Sequence, residues 1–391
     1  MSVAADAIGM PRRHAAIEQV GLLALFGVAG ALQFSIAIAQ ILLTVALVCW
    51  VALIIVDRES VEIPSFAWPL VAYAVLTLIS TAFSPDPRTS LFACKQMVLF
   101  LIVPLVYRFA RGGHAQTMVT VIVSCAAAAA AVGIFQYGVL HYDNLGQRPQ
   151  GTLGHYMTYS GLLMLVIGTA LARILFGERD RLWAALVVPA LAVAIPLTFA
   201  RSAEVGACAA VALLLFLKDR RLLALLPVFA LIFFVAAPAR VTDRFESIFN
   251  LKDPTNRDRL AMMREGTHMI KDHPLLGVGP NMVQRLYAQY RDSDAVNATN
   301  PHLHNVPLQI AAERGLPALA AWLWFVLALI AALWKLMRDK RQKLLAATGL
   351  AAVVAMLAAG MFEYNFGDSE FLMLFLILVT LPFAAMQSRH V

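Results

Sequence analysis

"AIAQILLTVALVCWVALIIV", residues 37–56, contains no charged residue from end to end. A helix rises about 1.5 Å per residue, so roughly 20 apolar residues cross the hydrocarbon core of a bilayer. Comparable runs recur along the chain, centred in residues 17–34, 66–84, 93–110, 118–139, 156–176, 182–200, 203–217, 222–239, 314–337, 344–366 and 369–387. The 391 residues are 60% hydrophobic and 14% charged, against roughly 45–50% apolar and about 25% charged in soluble domains. A large soluble helical protein is excluded. The expected fold is an all-α polytopic membrane protein of about 12 transmembrane helices.

The formal net charge of +7 does not point to nucleic acid, because the basic residues sit at span ends and follow topology. Arg12, Arg13, Arg111, Arg179, Arg181, Arg220, Arg221, Arg338, Lys340, Arg341, Lys343 and Arg389 fall on one side when the N-terminus starts inside. The other side's short loops hold Arg88, Lys95, Arg148 and Arg201, with Arg314 at a span mouth. This bias puts both termini in the cytoplasm. Cys49, Cys94, Cys125 and Cys208 lie in or beside apolar runs without CxxC spacing and read as small core residues. The first apolar run leads into further spans and shows no small-residue cleavage site, so it reads as a span rather than a removable signal. No repeat is visible, and the alanine run 126–131 reads as a place of close helix packing.

One connection is long. Residues 240–305 separate spans nine and ten on the outer face, dividing the chain into a bundle (1–239), a loop (240–313) and a final bundle segment (314–391). Loops of this length are usually functional or disordered. Here the loop should be partly helical. Asp253-Pro254 reads as a cap with proline at the first helical position, and His273-Pro274 reads as a stop. Between them Leu260, Met263, Thr267 and Ile270 form a stripe at helical spacing. At about 100° per residue, Arg259 falls about 60° from the centre of that stripe. It is therefore expected to point inward while Arg257 and Arg264 meet water.

The densest polar chemistry follows in "NPHLHNVPLQIAAERG", residues 300–315. A histidine is the side chain best matched to proton transfer at neutral pH. His302 and His304 form a His-x-His pair, a weak metal signal because Asp292, Asp294 and His273 are not at persuasive spacing for a third ligand. A histidine that only caps span ten is the bland alternative. Arg148, Arg201 and Arg259 come from three distant outer segments. Converging, they would suit a multiply charged anion, since the guanidinium fork binds phosphate bidentately; singly, each could be an interface anchor. Asn297-Ala298-Thr299 matches a short glycosylation acceptor.

These motifs resemble the O-antigen ligase and polymerase superfamily, which includes pilin oligosaccharyltransferases. The resemblance is carried by His304-Asn305 followed by Gly315 in "ERGLPA", and by "RLAMMREGTHMIKDHPLLGVGPN" (259–281). The weaker elements "RPQGTLGHYMTYSG" (148–161) and "FARSAEVG" (199–206) add to it. It covers roughly residues 140–330. It departs at Ala318, where the family has a second glycine, and at Met263, a frequent tryptophan; both read as packing changes.

The resemblance implies a ligase in the bacterial inner membrane, working on its periplasmic face. The donor would be a glycan on undecaprenyl pyrophosphate and the acceptor lipid A–core. His304 would be the base, Arg148, Arg201 and Arg259 the pyrophosphate ligands, with His302, Asn305 and Arg264 in support. Because arginines can neutralise the leaving group, neither metal nor other cofactor is expected, and the anomeric carbon would invert. Alternatives are a polymerase or a protein O-oligosaccharyltransferase of the same superfamily. A transporter is the competing class, disfavoured because no span shows clustered carboxylates or a broken helix pair; a structural membrane protein leaves the outer arginines unexplained.

Overall fold

A computed structural model describes residues 12–58, 60–247, 250–339 and 342–387. Lys340, Arg341 and Arg389 of the charge bias, and the side chains of Arg12 and Arg13, lie outside the described residues. The helices are α1 (Arg12–Ala31), α2 (Ile36–Asp57), α3 (Ala67–Ala82), α4 (Pro87–Ala93), α5 (Ile102–Phe109) and α6 (Gly113–Gly138). They continue with α7 (Tyr156–Phe176), α8 (Arg181–Leu197), α9 (Arg201–Lys218), α10 (Leu225–Ala236) and α11 (Ala239–Glu246). The chain ends with α12 (Pro254–Asp272), α13 (Val283–Tyr290), α14 (Val306–Met337), α15 (Lys343–Gly360) and α16 (Ser369–Ala384). A 3-10 stretch, Cys94–Leu101, joins α4 to α5. No strand is present among the described residues.

Among the described residues, six helical stretches are long and apolar enough to cross a membrane: α2, the continuous α4–α5, α6, α7, α14 and α15. Four shorter apolar helices accompany them within α1, α3, α8 and α16. The twelve expected runs fall mostly on helix, but 203–217, in α9, and 222–239 belong to neither group, so twelve spans are not reached, and two runs differ in length from expectation. The run 222–239 holds α10, only 12 residues long. The run 344–366 stops early, because α15 ends at Gly360 and residues 361–368 form a loop.

The centre of the bundle is α7, α15 and α16, with α9 and α14 against them. Small residues let these helices approach closely: a Cβ on Gly168 would stand 3.3 Å from Ala351 Cβ, and one on Gly206 2.8 Å from the Ala355 carbonyl. Such contacts, rather than water exclusion, drive helix association in lipid. The alanine run of α6 does pack closely, since the Tyr159 hydroxyl donates to the Ala129 carbonyl (2.8 Å).

Alternate connections gather at one end. There Thr152 Oγ1 donates to the Phe34 carbonyl (2.8 Å), Ser90 Oγ to the Pro280 carbonyl (2.9 Å), and Arg240 Nη1 to the Asp143 carbonyl (3.0 Å). The long loop closes this end.

A break in α14 fastens the loop to the bundle. At Gly315 the backbone has φ 81 and ψ 169, a region open only to glycine. In a regular helix the carbonyls of Ala312 and Glu313 would accept from residues 316 and 317. Leu316 N instead donates to the Pro274 carbonyl (2.8 Å), and Pro317 has no N–H. The released carbonyls accept from Val278 N (2.9 Å), Gly279 N (2.8 Å) and Ser80 Oγ (3.0 Å). The turn "PLLGVGPN" is thus stitched to "ERGLP".

The bounds of α12 match the cap and stop read from the sequence. Asp253 Oδ1 accepts from Thr255 N (3.0 Å) and Asn256 N (3.3 Å). Its inward face does not match. Asp258, Ala261, Met262, Glu265, Gly266 and Met269 are buried, whereas Leu260 and Met263 are exposed. Two carboxylates face inward because they satisfy backbone donors of the chain that follows: Glu265 Oε1 accepts from Asp292 N (2.9 Å), and Asp258 Oδ1 from Val296 N (2.9 Å) and Asn297 N (3.0 Å). Of the two departures from the family pattern, Met263 is exposed and Ala318 is fully buried, so only Ala318 lies where packing is at stake.

Candidate active site

Asp258 builds the approach to the histidines. Its Oδ2 accepts from Asn297 Nδ2 (2.6 Å) and Asn300 Nδ2 (3.1 Å), which fixes the segment entering "PHLHN". The Asn297 amide is therefore committed to this bracing, which argues against the glycosylation reading. Leu303 is buried over Gly266, where a Cβ would lie 2.7 Å from its Cδ1. Leu303 N donates to Gln309 Oε1 (2.7 Å). With the leucine anchored, the flanking His302 and His304 face the other way. Asn305, not a histidine, caps α14: its Oδ1 accepts from Leu308 N (2.9 Å), while its Nδ2 donates to the Met361 carbonyl (3.1 Å).

That last bond brings in a residue the sequence reading missed. Glu363 lies in the loop after α15, and its Oε2 is 2.8 Å from His304 Nδ1. Its Oε1 accepts from Tyr364 N (2.9 Å) and stands 3.6 Å from His302 Nε2. Burial alone would raise the Glu363 pKa, but the hydrogen bond and charge of His304 outweigh it and hold it down at about 2. The carboxylate is ionised and accepts, so it favours, for the neutral form of His304, the tautomer with the proton on Nδ1 and the lone pair on Nε2. His302 is pushed down to about 4 by burial, with His304 adding to the shift, and is neutral at neutral pH.

Two cavities meet at His304. One, of about 420 Å³, is bordered by His302, His304 and Glu363 together with His155, Thr158 and Asp368. The other, of about 300 Å³, is bordered by Arg148, Arg201, Arg244 and Arg259 as well as His304. Tyr156, Met157 and Ser202 are common to both walls.

The three arginines expected to converge do so, and Arg244 of α11 joins them. Arg148 stacks on Tyr156 with its guanidinium carbon 4.2 Å from the ring centre, and its Nε donates to the Leu145 carbonyl (3.0 Å). Arg201 donates to Ser247 Oγ (3.0 Å) and Asn256 Oδ1 (3.1 Å). Arg259 lies over the Phe362 ring at 6.0 Å. Arg201 and Arg244 share a single carboxylate, Asp253, at 3.6 and 3.7 Å. The buried Arg244 Nε has no hydrogen-bond partner among the described residues. Burial lowers the pKa of both Arg148 and Arg259, with Arg244 adding to the shift while Tyr156 opposes it for Arg148 and Glu363 for Arg259. All remain cations. The cavity lining thus carries four guanidinium groups and one carboxylate, Asp258, with Asp253 shared behind two of the arginines, an excess of positive charge suited to an anion.

Arg264 is elsewhere. Its fork is held by Asp292 (2.6 and 2.9 Å) and Asp294 (3.0 Å) on the exposed side of α12, so it does not support the site directly. Two further expectations change. The His-x-His pair does have a third candidate ligand: the donor atoms of His302, His304 and Glu363 lie within 4.8 Å of one another. Carboxylates are also gathered at the bundle end, where Asp368 accepts from Thr158 Oγ1 near Glu363, so their absence is no argument against transport. A glutamate inside an otherwise apolar run was the available signal for Glu363. Arg244 carried no comparable sequence signal; the structure places it one turn after Val241, which is buried with Leu197 and Phe199.

No curated protein matches the chain. Residues 184–323 match the sequence model of a family described as O-antigen ligase. That segment contains Arg201, Arg244, Arg259, His302 and His304, and the match is consistent with the O-antigen ligase superfamily that the sequence motifs resemble.

Proposed function

We propose that this protein is an O-antigen ligase that transfers a glycan from undecaprenyl pyrophosphate to lipid A–core at the periplasmic face of the bacterial inner membrane. The observation that carries the reading is the convergence of Arg148, Arg201, Arg244 and Arg259 on one cavity that His304 also lines. The arginines would hold the donor's pyrophosphate, and the cavity beyond His304 would take the acceptor sugar.

The acceptor hydroxyl attacks the anomeric carbon as the bond from that carbon to the pyrophosphate oxygen breaks. The hydroxyl proton passes to His304 Nε2, and Glu363 stabilises the imidazolium through Nδ1. Undecaprenyl pyrophosphate leaves, its charge met by the arginines, and the attacked carbon inverts. His302 lines the acceptor side, and Asn305 fixes the loop. No step in this scheme uses a cofactor.

The test is incubation of the purified protein with lipid-linked glycan and rough lipopolysaccharide. A glycan ladder on lipopolysaccharide is expected. Longer lipid-linked chains would make the protein a polymerase, and counter-flow of lipid-linked glycan without product would make it a transporter.

A further inference from the structure

We propose that His302, His304 and Glu363 also form a binding site for a divalent transition-metal ion of the zinc class, and that occupation of this site withdraws His304 from transfer. The binding half stands on geometry alone; the inhibitory half rests on His304 being the base. Two imidazoles and a carboxylate suit zinc, cobalt or nickel rather than magnesium or calcium, which prefer all-oxygen shells.

The spacing fits. Metal–nitrogen and metal–oxygen distances of about 2.1 Å place two tetrahedral ligands about 3.4 Å apart. His302 Nε2 and Glu363 Oε1 stand 3.6 Å apart, too far for a hydrogen bond and close to that edge. His304 Nδ1 completes a group of donors within 4.8 Å of one another. The two rings are already juxtaposed, with centroids 4.2 Å apart, and the cavity of about 420 Å³ leaves a fourth position for water. On binding, the proton of the neutral imidazole shifts from Nδ1 to Nε2, so that Nδ1 ligates the metal and Nε2 has no lone pair left to take the hydroxyl proton. The imidazole then loses the carboxylate that stabilises its protonated form. Arg259 acts against the ion, since its positive charge is within electrostatic reach of Glu363.

The experiment uses the full chain in detergent, titrated with Co²⁺ and followed by visible absorption. One Co²⁺ per chain, displaced by Zn²⁺, is expected. His302→Ala and Glu363→Gln should weaken binding by more than the roughly 10- to 100-fold that loss of an outer partner costs. Arg259→Ala, which removes no ligand, should tighten it several-fold. Absence of the Co²⁺ spectrum, affinity unchanged in both ligand variants, or no tightening in Arg259→Ala overturns the site and leaves the ligase reading untouched. In the transfer assay Zn²⁺ should inhibit and EDTA should restore the rate. Stoichiometric Zn²⁺ binding with undiminished transfer overturns the inhibitory role, and it also counts against His304 as base.

Discussion

His304 sits at φ 47, a left-handed conformation uncommon for residues other than glycine, and it touches both cavities. His304→Ala should lower the transfer rate about 100- to 10,000-fold, the usual cost of losing a general base. Donor affinity should change little, because the arginines hold the pyrophosphate. Glu363→Gln should cost less, since it keeps the shape and loses only the charge behind Nδ1; His302→Ala should keep measurable transfer. An active His304→Ala beside a dead His302→Ala would reverse the two roles. Alanine at Arg148, Arg201, Arg244 or Arg259 should raise the concentration of donor needed, and lysine should rescue only partly for want of the fork. Full activity in all four alanine variants returns them to anchoring. His302 also makes a stability prediction. Its pKa falls from 6.5 to about 4 on folding, so between those values the unfolded chain binds a proton that the folded chain refuses. Stability must therefore fall as pH drops from 6.5 towards 4. Thermal midpoints should show this loss in the parent and less of it in His302→Asn; equal slopes would sink the claim. At this scale three arginines and His304 were legible because arginine and histidine stand out against apolar sequence. Glu363 was hidden inside a run that hydropathy extended past the true end of α15.

Among elements, α12 and the broken α14 matter most. Gly315→Ala would put a Cβ 2.1 Å from the Leu275 carbonyl and force a glycine-only backbone region. Strain of that kind costs about 1–3 kcal/mol, so the variant should show a lower thermal midpoint and weaker expression; a parent-like midpoint would mean the break is not required. Asp258→Ala should remove the brace on 296–300 and impair transfer although Asp258 need not touch substrate. Faster proteolysis within that segment is the readout, and parent-like resistance would refute the bracing role. The ends of α12 were legible from capping chemistry, which is local. Its inward face was not, because that face satisfies backbone donors of residues 292–297, and no periodicity of apolar residues encodes such a need.

On the scale of the whole molecule, helical class and the clustering of alternate connections were legible from apolar runs and their spacing. The meeting of residues 148, 201, 244, 259, 304 and 363 was not, since it depends on how helices pack. Sidedness can be tested in a variant without native cysteines. Arg257→Cys should react with an impermeant thiol reagent in intact cells after outer-membrane permeabilisation, and Arg338→Cys, at the opposite end, only after lysis. The reverse pattern would invert the topology. EDTA should leave transfer intact; loss restored by a divalent ion would replace the arginine mechanism. Finally, the wall shared by the two cavities has a kinetic meaning. His304 borders both, so the group that activates one substrate reaches the other directly, and the glycan need never rest on the protein. Initial rates measured against both substrates should then give intersecting rather than parallel double-reciprocal lines, and donor turnover should stall when the acceptor is withheld.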